Sequence, residues 1–169
     1  MKIKKLVLMA LLSAIALTIF TLEAQIPALV PIPGIKLGLS NIVTVFAVFF
    51  LGGWEAAAIL FVRIFLGAVF AGNFSTVIYS AAGGFLALGV TCLLRRVLQD
   101  NQLWVAGCLG AVAHSIGQMA VAVPISGTPM ILIYLPAMIV CSIITGLFTG
   151  CSAGFLVKRS KKLWKTFFK

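Results

Sequence analysis

Residues 74–96 read FSTVIYSAAGGFLALGVTCLLRR, an apolar run without a charged side chain that ends at Arg95 and Arg96. A helix needs about 20 apolar residues to cross a hydrocarbon core, so this run predicts a transmembrane helix. The rest of the chain follows the same pattern: of its 169 residues, 62% are hydrophobic and 9% are charged. A soluble domain carries about a quarter charged residues, so this composition excludes an ordinary soluble enzyme.

Six apolar stretches predict an all-α bundle of six transmembrane helices, forming one integral membrane domain over residues 1–169. They are Leu6–Leu22, Leu37–Gly53, Trp54–Ala71, Phe74–Leu94, Leu103–Ile125 and Met130–Val157. Gly52-Gly53-Trp54 predicts a tight hairpin between the second and third spans, and residues 124–129 predict a turn before the sixth.

The net charge of +10 lies mainly in three short flanks, residues 2–5, 95–96 and 158–169. Six spans place all three flanks on one side of the membrane. Because cytoplasmic loops are enriched in Lys and Arg, we expect cytoplasmic N- and C-termini, with 158–169 as a basic cytoplasmic tail. The charge is then an orientation signal, and the expected partner is the lipid bilayer of a bacterial cell membrane rather than a nucleic acid.

The first apolar run has the basic start of a signal peptide, but the stretch near Leu22 lacks the small residue that a cleavage site needs. We therefore expect a retained helix. Within it, Ala10 and Ala14 form a small-x-x-x-small pair, which allows another helix to approach closely. Packing inside the bundle and docking of a partner subunit both explain such a pair.

A few polar residues lie at membrane depth, where ionisable groups are costly and usually mark a site. Arg63 lies midway along the third span and is either a ligand contact or a structural or snorkelling cation. Glu55, near the start of that span, suits a helix N-terminus. His114 and Gln118 lie four residues apart on one face of the fifth span. They either line a site or are core residues whose hydrogen bonds are satisfied inside the protein.

No metal, disulfide or other cofactor is expected. The four cysteines lie inside apolar runs without ligand spacing, and the single histidine has no acidic cluster beside it.

Residues 27–41, PALVPIPGIKLGLSN, connect the first two spans. The three prolines prevent a regular helix, and the apolar side chains argue against a loop in water. We expect an outer loop that is either a lid over a pocket or a re-entrant connector. Lys36 is the one cation expected on the outer side, and Asn41 is either a helix cap or a polar lining residue.

Several motifs closely resemble the Gx transporter family, also labelled "heptaprenyl diphosphate synthase component I". The residues are Pro31-x-Pro33-Gly34-Ile35-Lys36-Leu37-Gly38-Leu39-x-Asn41, Arg63 with Leu66-Gly67, Tyr79-Ser80-x-x-Gly83-Gly84, and Gly110-Ala111-x-Ala113-His114-x-x-Gly117-Gln118. The resemblance extends from about Leu6 to Gly154. The family is similar to the S components of energy-coupling factor transporters, which implies a docking role for Ala10 and Ala14 and an energising module made of a coupling membrane subunit and ATPases.

The chain lacks the residues that a catalytic prenyl diphosphate synthase needs. Such an enzyme binds magnesium and diphosphate with several carboxylates, and this chain has one aspartate, Asp100. It also has no Walker A motif. We therefore expect a non-catalytic S-type component of an uptake transporter that binds an apolar, anionic, vitamin-like or isoprenoid/quinone-related small molecule. The predicted binding residues are Lys36, Asn41, Arg63, Tyr79, His114 and Gln118. An accessory subunit in heptaprenyl diphosphate, quinone or membrane redox metabolism, and a scaffold protein, are the alternatives.

Overall fold

The computed structural model describes residues 2–25, 36, 38–72 and 75–167. This part of the chain forms six α-helices and one 3-10 helix, which confirms the all-α prediction. The elements are α1 Lys2–Glu23, α2 Asn41–Phe50, α3 Gly53–Ala71, α4 Ser75–Leu94, α5 Leu103–Ser126, the 3-10 helix Pro129–Tyr134 and α6 Leu135–Phe167. The outer loop is predicted to be either a lid or a re-entrant connector. Most of it, residues 26–35, lies outside the described residues.

Five helices, α1, α3, α4, α5 and α6, are long and apolar enough to cross a membrane. Large apolar side chains such as Phe65 on α3 and Phe155 on α6 point away from the bundle. Apolar outer surfaces and backbone hydrogen bonds closed within each helix are what a hydrocarbon environment requires. The chain is therefore a multi-pass membrane protein.

The second predicted span, Leu37–Gly53, contains a shorter helix than expected. This helix, α2, has ten residues and is about 15 Å long, about half the thickness of the hydrocarbon core. Two glycines limit it: Gly38 and Gly52 have φ of +80° and +142°, which a right-handed helix does not accommodate. Eight of its ten residues are buried, and it contacts all five long helices. Its apolar sequence thus reflects burial in protein rather than a full crossing of the bilayer.

The turn predicted at residues 124–129 begins later than expected. Pro124 lies inside α5, which continues to Ser126 and ends at Gly127 with φ +64°. A proline removes one backbone hydrogen bond, and in the last turn of a helix that loss does not stop the helix. After the 3-10 helix, α6 continues to Phe167, so the described part of the basic tail is helical.

Glycines allow α4, α5 and α6 to pack backbone to backbone. A Cβ atom at Gly117 of α5 would lie 2.6 Å from the carbonyl oxygen of Ala82 on α4, and a Cβ at Gly150 of α6 would lie 2.7 Å from Cα of Trp104 on α5. Such distances leave no room for a side chain. Small residues at helix contacts are the usual basis of packing in membranes, because lipid supplies no hydrophobic driving force between helices.

One end of the bundle gathers paired charges. Lys5 of α1 forms an ion pair with Glu55 of α3, and Lys161 of α6 pairs with Asp100 at 2.7 Å. Arg95 lies near Glu55 at the same end. Lys5, Arg95 and Lys161 come from the three basic flanks, one from each, so the flanks meet at one end of the bundle. The side of the membrane that this end faces stays a prediction.

Candidate ligand-binding site

The other end of α1 carries a buried carboxylate at the entrance to α2. Glu23 is 4% exposed, and the backbone N–H of Gly38 donates a hydrogen bond to its Oε1 at 2.5 Å. Gly38 reaches this position because its positive φ turns the chain just before α2 begins. A carboxylate that accepts backbone N–H groups ahead of a helix is favoured by the partial positive charge of the helix N-terminus.

Two cations and an aromatic ring lie beside this carboxylate. Lys36 Nζ lies 3.4 Å from the centroid of the Phe20 ring, and Cζ of Arg63 lies 5.4 Å from the same centroid. Glu23 interacts electrostatically with both cations. The ring face attracts both charges, so Phe20 gives them an apolar but electrostatically favourable wall.

Lys36 lies at the end of the bundle opposite Lys5, as expected for a cation on the outer side, while the sidedness itself stays a prediction. Its ammonium turns back against α1, where it also donates to the carbonyl oxygen of Phe20 at 3.4 Å. Burial lowers the pKa of Lys36, the carboxylate of Glu23 opposes that shift, and Arg63 adds to it. The Phe20 ring and the nearby Glu23 explain why this half-buried side chain folds against α1.

Arg63 lies deep in the bundle at 2% exposed, which excludes snorkelling to a membrane surface. It occupies the buried face of α3, and its Nη2 has no hydrogen-bond partner in the described part of the chain. The attraction between Arg63 and Glu23 fits the structural ion pair that the sequence also allows, but it does not satisfy this atom. An unsatisfied guanidinium nitrogen instead leaves a donor for another molecule.

His114 and Gln118 face α4 and the turn before α2. The imidazole hydrogen-bonds to the backbone of Gly83, and the missing side chains of two glycines make room for it. A Cβ at Gly83 would lie 3.0 Å from His114 Cε1 and 2.8 Å from Gln118 Cγ, and a Cβ at Gly38 would lie 3.1 Å from His114 Cδ2. Asn41 belongs to the same group, since its Nδ2 lies 2.9 Å from that Gly38 position.

We call seven side chains the buried polar cluster, six of them buried and Lys36 half-buried: Glu23, Lys36, Ser40, Asn41, Arg63, His114 and Gln118. Six of them carry a buried side-chain atom without a hydrogen-bond partner among the described residues. The atoms are Glu23 Oε2, Ser40 Oγ, Asn41 Nδ2 and Oδ1, Arg63 Nη2, His114 Nδ1 and Gln118 Oε1. Buried polar groups are normally satisfied, so this concentration at one place needs a specific explanation.

Tyr79 lies apart from these unpartnered atoms. It is buried in a smaller apolar cluster with Met119, Ala122 and Met138. Tyr79 is one helical turn before Gly83, and Met119 directly follows Gln118, so this apolar cluster adjoins the polar one. The structure therefore joins five of the six predicted binding residues in one polar group and places the sixth on an adjacent apolar wall.

Ala10 and Ala14 are exposed on α1, whose buried face carries Leu12, Ala16 and Phe20. Packing within the described bundle does not account for the alanine pair. Both residues lie on the outer surface of the protein, well separated along α1 from Glu23.

An open groove of about 310 Å³ lies at the opposite end of α1, lined by Lys5, Leu6, Met9, Trp54 and Glu55. Its two charged residues already pair with each other. The groove offers an open volume, but the buried polar cluster has the unsatisfied polar atoms, so the cluster is the stronger candidate for binding a polar group.

Sequence reasoning missed Glu23 as a site residue. It is one of only three acidic residues, and it ends an apolar run. The argument that singled out Arg63, a rare charge in an apolar helix, applies equally to Glu23. Glu23 lies at a helix end, and the turn at Gly38 is what brings a backbone donor to it.

Comparison with known proteins identifies a family whose model matches most of the chain. A family model described as "Heptaprenyl diphosphate synthase component I" matches residues 12–156. No curated protein and no solved structure matches the chain.

Proposed function

The chain belongs to the heptaprenyl diphosphate synthase component I family, and on that premise we propose that it is a non-catalytic membrane protein that binds a small molecule in the buried polar cluster. We further propose that it is the substrate-binding, S-type component of an uptake transporter of the energy-coupling factor class. The observation that carries the proposal is the set of unpartnered buried polar atoms around Arg63.

The energetic reason is the cost of leaving those atoms unsatisfied. A buried donor or acceptor without a partner costs about 1–3 kcal/mol, and more if it is charged. Elsewhere in the bundle the chain avoids that cost, since the buried hydroxyls of Ser115 and Ser142 bond to each other at 2.6 Å. A ligand that supplies the missing hydrogen-bond partners removes this cost, and the free energy recovered contributes to binding.

The residues indicate the chemistry of the ligand. Arg63 and Lys36 offer cationic donors, which suit a carboxylate or phosphate oxygen. Asn41, His114 and Gln118 offer neutral groups that orient a polar head. Phe20 and the apolar cluster around Tyr79 provide walls for an apolar body, as ligand sites usually do. An apolar molecule with an acidic head, of the vitamin-like or isoprenoid/quinone-related kind, fits this combination.

The placement of the acids supports a non-catalytic role. Asp100 and Glu55 pair with lysines at the basic end of the bundle, and Glu23 lies in the buried polar cluster at the other. Magnesium-dependent diphosphate chemistry needs several carboxylate oxygens at one place. Three separated acids do not meet that requirement.

The exposure of Ala10 and Ala14 supports a partner on the surface of α1. A membrane helix that presents small residues outward gives another helix a close approach without moving any side chain. A coupling membrane subunit with its ATPases is the partner that a transporter of this class needs, since the chain has no Walker A motif of its own.

The family description favours a second candidate, a non-catalytic accessory subunit that works beside a prenyl synthase. Affinity purification from native membranes separates the two. The transport proposal predicts that a membrane subunit and ATPases copurify, and that Ala10→Leu or Ala14→Leu removes them. Ala120 on α5 is also exposed, so Ala120→Leu is the matched control and retains them. Copurification of a soluble prenyl synthase alone would reject the transporter and leave the accessory subunit.

A further inference from the structure

The buried polar cluster has an uneven charge count. Its formally charged side chains are two cations, Lys36 and Arg63, and one acid, Glu23, and His114 is counted as neutral. The three charges interact with one another. In surroundings of low dielectric an unbalanced charge is costly, and the cluster carries one net positive charge.

Glu23 is held where the anionic part of a ligand would also be attracted. Its Oε1 accepts the Gly38 N–H at the start of the turn into α2. Its other oxygen, Oε2, is buried without a hydrogen-bond partner in the described part of the chain, as is Nη2 of Arg63. The carboxylate therefore neutralises part of the cationic charge but leaves Arg63 with a free donor.

We propose that Glu23 sets the charge of the ligand, so that the cluster accepts an apolar molecule with a single negative charge at its head and rejects dianions. This inference rests on the proposed function, because it assumes that the cluster binds a ligand. One negative charge balances the cluster. A second would leave an uncompensated anion next to the Glu23 carboxylate in the same low-dielectric surroundings.

Three probes with similar apolar bodies test the charge rule: octanol is neutral, octanoate has one negative charge, and hexylmalonate has two at the same end near neutral pH. Binding is measured on the protein in lipid nanodiscs, with empty nanodiscs subtracted. The wild type should bind octanoate at least about tenfold more tightly than either other probe, since a unit charge at contact distance in a partly buried site is worth at least that ratio.

Variants that change the count by one charge then move the preference. Glu23→Gln raises the net charge by one and should bind hexylmalonate more tightly than octanoate. Lys36→Gln lowers it by one and should bind octanol at least as well as octanoate. The double variant Glu23→Gln/Lys36→Gln restores the wild-type count and should prefer octanoate again. It also covers the case in which Glu23→Gln alone does not fold, because it leaves no excess of buried cations over the wild type.

The outcomes separate the two proposals. If Glu23→Gln still prefers octanoate, the charge rule is wrong while the binding site stands. If Glu23→Gln does not fold, the double variant decides, and loss of its octanoate preference shows that the charge rule is wrong. If wild-type octanoate binding is absent, or is unchanged in Arg63→Gln, the site itself is wrong and the proposed function fails with it. Ala120→Leu serves as the control that leaves every preference unchanged.

Discussion

Gly38 links the backbone turn before α2 to the side chains of the buried polar cluster, and its replacement by alanine tests that link. Its φ of +80° is unfavourable for a residue with a Cβ by about 1–2 kcal/mol. The new Cβ would also lie 2.9 Å from Asn41 Nδ2 and 3.1 Å from His114 Cδ2, so both side chains must move. Displacing packed side chains from their rotamers adds about 1–2 kcal/mol.

Gly127 provides a matched control for the backbone cost alone. Its φ is +64°, and a Cβ there would meet nothing within 4 Å. Gly127→Ala therefore shares the left-handed cost but not the contacts. The difference between the two variants, about 1–2 kcal/mol, corresponds to roughly 3–6 °C in Tm for a chain of this size.

Thermal unfolding in nanodiscs measures this difference, and octanoate binding measures its functional counterpart. Gly38→Ala should unfold at the lower temperature and bind octanoate at least about tenfold more weakly, because Asn41 and His114 leave their positions. Gly127→Ala should bind octanoate like the wild type. Equal Tm and equal octanoate affinity in the two variants would refute the placement of Gly38 against the cluster.

Two further predictions concern packing and protonation. Gly117→Ala should lower the free energy of unfolding by about 1–3 kcal/mol, because its Cβ would press on the backbone of Ala82, whereas Gly89→Ala has open space and should cost nothing; equal unfolding curves for both would contradict the close α4–α5 contact. Because burial lowers the pKa of Lys36, octanoate binding should weaken as the pH rises through a range below that of an ordinary lysine. Lys36→Arg, whose guanidinium stays protonated, should keep its affinity over that range, and identical pH profiles would show that the charge at this position does not matter.

The number and type of the helices could be predicted from the sequence because a bilayer demands long apolar helices, and five of the predicted stretches are such helices. The length of α2 could not be predicted in the same way. An apolar run indicates that residues avoid water, and burial among other helices satisfies that as well as lipid does. The two glycines with positive φ that end the helix on either side look in the sequence like any other glycines.

Some residues of the site could be predicted from the sequence and others could not. Arg63, His114 and Gln118 could be found because a polar residue in an apolar helix is conspicuous whatever its neighbours are. The partnership of Glu23 with Gly38 could not be found, because it joins the end of one helix to a turn fifteen residues later. The position of Lys36 over Phe20 depends on the same folding back of the chain, which no local pattern records.

The central claim is that the buried polar cluster binds a small molecule with an acidic head. Mass spectrometry of the small molecules retained by the purified protein tests it most directly, with Arg63→Gln as the comparison and Ala120→Leu as the control. The account predicts one class of apolar molecule with a single acidic group in the wild type and in Ala120→Leu, and its loss in Arg63→Gln. The same retained molecules in all three proteins, or none in the wild type, would contradict it.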